Sequence, residues 1–192
     1  MSEGEALKIA VDLLHVPSRV PRVRMSPLPP GVPLLLRIAA DDEEALRMAA
    51  LIVDRTPETL REAATFFIEQ ALLIPDADSY RILGATPASS ASELRRNMAL
   101  LIKWLHPDSD PNGRRSVFLN RVTRAWDDLK TPERRATYDQ ERSVREPKQP
   151  ASSFVRRGLG RTSRGSMRFS KAGRSERGLW LRALSFLFGE KR

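Results

Sequence analysis

The chain has 192 residues, of which 41% are hydrophobic and 30% are charged. It can bury one modest core or two small ones, which excludes a large multidomain enzyme. Cysteine is absent, which excludes disulfides, thiolate nucleophiles and cysteine-based zinc sites. No run approaches the roughly 18 apolar residues that a membrane span needs, and the first residues do not look like a secretory signal. These features predict a cytoplasmic protein.

The net charge of +9 is unevenly distributed along the chain. Up to Gln140, 19 basic residues stand against 20 acidic ones, whereas from Glu141 onward 14 stand against 4. The sequence therefore predicts a nearly neutral folded part followed by a basic tail, and the tail needs an explanation of its own.

The first 33 residues include the proline-rich stretch "VPSRVPRVRMSPLPPGVP". Proline lacks a backbone N–H and disfavours helix at the residue before it. We therefore expect residues 1–33 to form an extended N-terminal linker.

Residues 34–75 are predicted to form a helical hairpin. Its first helix runs from Leu34 to about Val53. Its second begins with Thr56 as N-cap and Pro57 at the first helical position. One face of the second helix is apolar, with Leu60, Ala64, Phe67, Ile68, Ala71 and Leu72. Neither helix carries an evident chemical group, so a scaffold or adaptor role is expected.

From Asp76 the pattern changes to shorter helices with sharp boundaries. "SYRILG" predicts a short helix closed by Gly84. Ser90, three residues before Glu93, forms a capping box that opens a longer helix. The apolar stripe of this helix contains Leu94, Met98, Leu101, Ile102 and Leu105.

A polar loop, "DSDPNGRR", follows, and the helical pattern resumes with "SVFLNRVTRAWDDLK". The expected inward positions of this helix are Phe118, Val122, Ala125 and Leu129. "TPERRATYDQ" predicts a short fourth helix. Four helices, two long and two short, thus flank one polar loop.

The tripeptide His106, Pro107 and Asp108 interrupts this helical pattern. Metal binding is disfavoured on two counts. The stretch from Asp108 has the opening spacing of a calcium loop, but Leu119 stands where a bidentate Glu is required. The only other histidine is His15, in the distant N-terminal segment, so a transition-metal site lacks ligands.

Two readings of the tripeptide remain open from the residues alone. His106 and Asp108 have the chemistry of a base and the group that orients it, but a nucleophile is also required, and Pro107 makes direct pairing awkward. Alternatively, the tripeptide is only a helix stop, since proline often follows helix ends.

The compound pattern resembles the J domain of DnaJ-type co-chaperones. The resemblance covers Asp78 to Gln140 and is carried by "SYRILG", "ELRRNMALLIKWLHPD" and "RAWDDLKTPERRATYDQ". It implies an all-α fold, with a four-helix J domain at residues 76–140 whose antiparallel long helices flank an HPD loop. The helical hairpin would precede this domain, and a disordered basic tail would follow it.

The resemblance also implies a function. J domains bind DnaK-type chaperones and stimulate ATP hydrolysis by that partner, without an active site or cofactor of their own. The implied partner-binding residues are His106, Pro107, Asp108, Arg95, Arg96 and Lys103. The alternative is a J-like adaptor that does not activate a chaperone and acts at a membrane or nucleic acid. The client is not indicated.

Four positions depart from the family pattern, one of them Leu105, where an aromatic residue is usual. Ala99 and Leu100 stand where basic residues are usual, and Trp104 where Lys or Arg is common. One expectation is a weaker or specialised partner contact. The other is that Leu100 and Trp104 pack against the N-terminal helical hairpin or a different protein.

Residues 141–177 mix Arg with Gly and Ser and predict a disordered basic linker. It is either a solvated spacer or a contact with an anionic membrane surface, with nucleic acid less favoured. Residues 178–189 predict a short apolar helix that lies at the inner face of the membrane or docks onto the helical domain. Its candidate contacts are Trp180, Leu184 and Phe188.

Overall fold

The computed structural model describes residues 3–106 and 115–145, and within these ranges the chain is helical and contains no strand. The all-α prediction is therefore confirmed. The helices are α1 (Glu3–His15), α2 (Val20–Met25), α3 (Val32–Ala39), α4 (Glu43–Ile52), α5 (Pro57–Phe67), α6 (Ser79–Ile82), α7 (Ala91–Leu105), α8 (Ser116–Leu129) and α9 (Pro132–Arg145). A 3₁₀ turn, Pro17–Arg19, precedes α2, and a π-helical turn, Ile68–Leu72, continues α5.

Among the described residues, those up to Tyr138 form one compact unit, and residues 139–145 belong to a second. In the first unit α5 packs against α1 and α3, α3 packs against α7, and α8 packs against α6 and α7. Its largest fully buried side chains include Trp104, Tyr80, Phe67, Leu7, Leu35, Leu36, Ile38, Leu60, Ile68, Leu72 and Leu73. The core thus runs through both the N-terminal helices and the later ones. The described part of the second unit is the end of α9.

The predicted extended linker over residues 1–33 is wrong. Residues 3–15 form α1, which buries Leu7 and Leu13. Pro17, Pro21 and Pro33 lie in the first turn of the helical segments that contain them. At that position a backbone N–H has no intrahelical acceptor, so proline is tolerated there. The prolines mark helix starts.

The single helix predicted from Leu34 to about Val53 is also wrong, because the chain turns between α3 and α4. Asp41 has a left-handed backbone with a φ of 55°. The Asp42 side chain then caps α4 by accepting hydrogen bonds from the backbone N–H groups of Glu44 and Ala45. A short acidic residue that satisfies these free donors starts a new helix.

The other local predictions agree with the structure. Thr56 caps α5, and the predicted apolar face of α5 and its π-helical continuation is buried. Ser90 and Glu93 form the predicted capping box of α7, whose apolar stripe is also buried. On α8, Val122, Ala125 and Leu129 are buried as expected, while Phe118 is half-buried. The fourth helix, α9, is longer than predicted and has 14 residues.

Candidate functional site

His106 lies at the point where α7 ends. Its backbone is extended, with φ −60° and ψ 140°, and its N–H donates to the Lys103 carbonyl at 3.2 Å. Proline at the next position disfavours the helical conformation for the residue before it, which explains why α7 ends here. The His106 side chain is half-buried. Pro107 and Asp108 lie outside the described residues, as do Trp180, Leu184 and Phe188 of the tail.

The three basic residues predicted on α7 are exposed, but they do not all share one face. Arg96 and Lys103 are two helical turns apart and lie on the same side of α7, whereas Arg95 lies about 100° around the helix. The structure thus places two of the three predicted basic residues, Arg96 and Lys103, on one face of α7, the helix that ends at His106.

Leu100 lies between Arg96 and Lys103 on this face and is half-buried. It lines a groove between α7 and the N-terminal helices α3 and α4. The expectation that Leu100 faces the N-terminal helices therefore agrees with the structure, although the groove remains open.

Trp104 differs from Leu100 in its surroundings. It is 1% exposed and packs against α8. Its ring stacks on Phe118 with centroids 6.4 Å apart. The Arg115 guanidinium lies 4.8 Å from the ring centroid and donates to the Trp104 carbonyl at 3.3 Å. The indole N–H is buried without a hydrogen-bond partner. These contacts, which the sequence did not reveal, join the end of α7 to the start of α8 on either side of the HPD loop.

Ion pairs fix the opposite wall of the groove. Arg37 donates to Asp42 at 2.7 Å and to Glu44 at 3.0 Å. The hydrogen bond to Asp42, opposed by partial burial, raises the pKa of Arg37, and the same bond lowers the pKa of Asp42. At the start of α7, the backbone N–H of Ser90 donates to Glu93 and lowers the pKa of that carboxyl group.

Three arginines join the end of the π-helical turn to neighbouring elements. Arg24 of α2 donates to the carbonyl of Gln70 at 2.7 Å. Arg81 of α6 donates to the carbonyl of Ala71 at 2.8 Å, and Arg121 of α8 donates to that of Leu73. We call these residues the arginine cluster. Carbonyl groups at a helix end have no intrahelical donor, so the cluster satisfies acceptors that would otherwise be exposed or unpaired.

Arg81 also reaches the N-terminal segment. It donates to the carbonyl of Ser26 at 2.9 Å and to that of Val23 at 2.8 Å. Desolvation lowers the pKa of Arg81, while the nearby Asp78 opposes this effect. The sequence marked this position only as part of "SYRILG", and nothing in its spacing pointed to so many carbonyl partners.

A second network joins α6 to α8 and α9. The Ser79 hydroxyl donates to Asp128 at 2.7 Å, and its backbone N–H donates to the Tyr138 hydroxyl at 2.8 Å. Arg135 donates to the Tyr80 hydroxyl at 2.9 Å. These bonds fix the short α6 against the two longer helices.

In the part of the chain that the structure describes, no three His, Asp or Glu side chains converge as a metal site would require. No helix there is long and apolar enough to cross a membrane.

Comparison with known proteins finds a family match for the region that contains α7 and α8. A family model described as the DnaJ domain matches residues 78–139. Human DnaJ homolog subfamily A member 2 is 35% identical over 75 residues, which cover 38% of this chain and 18% of that protein.

Bacterial proteins match as well. The chaperone protein DnaJ of Ruegeria sp. (strain TM1040) is 36% identical over 63 residues, covering 32% of this chain and 16% of that protein. DnaJ of Listeria monocytogenes serotype 4b is 32% identical over 63 residues. The chain spans less than a fifth of the length of these relatives. No solved structure matches it significantly. Residues 78–139 of this chain are a DnaJ domain.

Proposed function

We propose that this protein is a DnaJ-type co-chaperone that binds a DnaK-type chaperone and stimulates its ATP hydrolysis through the HPD loop. The observation that carries the proposal is the DnaJ-domain match over residues 78–139 together with an intact His-Pro-Asp tripeptide where α7 ends. The chain's own role is recognition, and the bond-breaking chemistry belongs to the partner.

The side chains of α7 support this role. Arg96 and Lys103 lie on one face, and exposed cations of this kind steer an acidic partner surface and set its orientation. The carboxylate of Asp108 has the charge to pair with a partner cation in a desolvated contact. We further propose that the N-terminal helices specify a client or a location.

The test is single-turnover ATP hydrolysis by a purified DnaK-type chaperone, with wild type, Asp108→Asn and Asp110→Asn. Asp110→Asn is the matched control, because this substitution also removes one carboxylate from the same loop. We expect stimulation by wild type and by Asp110→Asn, and none by Asp108→Asn. Stimulation that survives in Asp108→Asn would overturn the role of the tripeptide.

The second candidate is a J-like adaptor that contacts a partner without activating a chaperone. It is favoured by Leu100 and Trp104, which replace basic residues usual in the family and are half-buried and buried here. Absence of stimulation with either wild type or Asp108→Asn supports this candidate.

Membrane attachment through the tail stays a prediction, as does a cytoplasmic location. Flotation with anionic liposomes, with and without residues 178–192, tests the attachment. Equal flotation of the two proteins rejects it.

A further inference from the structure

The groove between α7 and the N-terminal helices has a volume of about 220 Å³. Its lining residues are Gly31, Pro33, Leu34, Arg37, Met48, Arg96 and Leu100. One wall is therefore the basic face of α7, and the other is built by α3, α4 and the turn before α3. Both walls belong to the same compact unit.

The floor of the groove is apolar. Leu34 is buried, whereas Leu100 and Met48 are half-buried on opposite walls and keep part of their side chains accessible. Half-covered apolar side chains facing each other offer area that a partner can still remove from water. Methionine also adapts its shape to an incoming side chain more readily than branched residues do.

Two arginines, Arg37 and Arg96, line the groove. Arg37 already donates to Asp42 and Glu44, so its charge is compensated on its own wall. Arg96 is exposed. Glu93, one turn before it, is held mainly by the capping box of α7, and the charge of Arg96 has the smallest effect on its pKa. The positive charge that an incoming ligand meets therefore comes mainly from Arg96 on α7. Lys103 lies on the same face, two turns further along.

We infer that the docking surface for the DnaK-type chaperone continues from α7 into this groove, so that α4 contributes a contact through Met48. The occupant is an acidic segment of that chaperone that places one apolar side chain between Leu100 and Met48. This inference rests on the proposed function. Charge complementarity with Arg96 orients the segment, and the apolar contact supplies affinity at the position where the family usually has a basic residue.

The test uses the full chain and a fluorescently labelled, ATP-bound DnaK-type chaperone. Equilibrium binding and ATPase stimulation are measured for Met48→Glu, Leu100→Glu and Leu51→Glu. Leu51 is the matched control, because it lies on α4, is 89% exposed and does not line the groove. Circular dichroism melting verifies that each variant folds. Met48→Ala provides a milder test should a buried carboxylate prevent folding.

We expect Met48→Glu and Leu100→Glu to weaken binding about tenfold, since each places a carboxylate where an acidic segment docks. The protein concentration for half-maximal stimulation should rise by the same factor. The maximal rate should stay unchanged, because Asp108 is intact. Met48→Ala should weaken binding roughly threefold, and Leu51→Glu should change it by less than about twofold.

Failure of this inference differs from failure of the proposed function. If Met48→Glu and Met48→Ala bind like wild type while Asp108→Asn abolishes stimulation, the groove is not a docking site and the function stands. Tighter binding by Met48→Glu would mean that α4 shields α7, which also overturns the inference. Wild type that binds without stimulating overturns the proposed function alone, and the binding measurements still decide the groove. No binding by wild type overturns both.

Discussion

At the scale of single residues, Arg81 and Trp104 show how α7 is held among its neighbouring helices. Arg81 donates to three carbonyl groups in two segments, those of Val23 and Ser26 at the end of α2 and that of Ala71 in the π-helical turn. Trp104 replaces an expected surface cation and packs on Phe118. Both side chains make internal contacts instead of facing solvent. They therefore position α6, α7 and α8 and do not touch a partner.

Replacing Arg81 should therefore destabilise the fold. Arg81→Met removes the donors to three carbonyl groups, and partly buried acceptors left unpaired cost free energy. We expect the free energy of unfolding in urea to fall by about 2–4 kcal/mol. Arg22→Met is the control, since Arg22 is exposed on α2, and it should change stability by less than about 0.5 kcal/mol. Equal effects of the two substitutions would contradict the role of the arginine cluster.

Roles that depend on neighbouring residues could be predicted from the sequence, whereas contacts between residues far apart along the chain could not. Ser90, Thr56 and Gly84 act on neighbouring residues, so their roles could be predicted from local spacing. The partners of Arg81 lie 10 to 58 residues away, and no local pattern contains that information. Burial of Trp104 likewise depends on Arg115 and Phe118, which follow the polar loop.

At the scale of helices, the boundary between α3 and α4 shapes the groove beside α7. Asp42 both caps α4 and pairs with Arg37, so one carboxylate fixes the start of α4 and the guanidinium on the groove wall. The predicted continuous helix from Leu34 failed here because apolar periodicity persists across the break. The left-handed backbone at Asp41 turns the chain without interrupting that pattern.

The stability of this corner should depend on pH. The hydrogen bond from Arg37 holds the pKa of Asp42 below its ordinary value of 3.8. A carboxyl group whose pKa is lowered by folding stabilises the protein above its unfolded pKa, and this contribution is lost as the pH falls through the lower folded value. Asp42→Asn keeps a capping oxygen but cannot ionise.

We therefore expect wild type to be more stable than Asp42→Asn by a constant amount above about pH 5 and by a shrinking amount below about pH 4. Urea unfolding at a series of pH values measures this difference. Glu43→Gln is the control, because the Glu43 side chain is 75% exposed, and its difference from wild type should vary less with pH. A difference for Asp42→Asn that stays constant down to pH 2 would contradict the account.

At the scale of the whole molecule, the DnaJ domain shares one packed unit with the helices before it. A β-carbon on Gly84 would lie 2.8 Å from Val32 and 3.3 Å from Leu36, so α3 packs directly on the turn that follows α6. The sequence predicted the helices of the DnaJ domain but treated the N-terminal part as separate. Its prolines suggested a linker, although Pro17, Pro21 and Pro33 lie at helix starts.

Shared packing predicts cooperative unfolding. Far-UV circular dichroism measures the helix content of the whole chain. Tryptophan fluorescence reports on Trp104 and Trp126, which lie within the DnaJ domain. We expect the two signals to change at the same urea concentration in a chain of residues 1–145, as two-state unfolding requires. A fluorescence transition clearly separated from the circular dichroism transition would mean that the N-terminal helices fold independently.

The proposed function requires this chain to accelerate nucleotide hydrolysis by another protein. Single-turnover ATP hydrolysis by a DnaK-type chaperone tests it most directly, with and without the full chain. We expect a faster rate with wild type and the unstimulated rate with Asp108→Asn. An unstimulated rate with wild type that nevertheless binds the chaperone would contradict it.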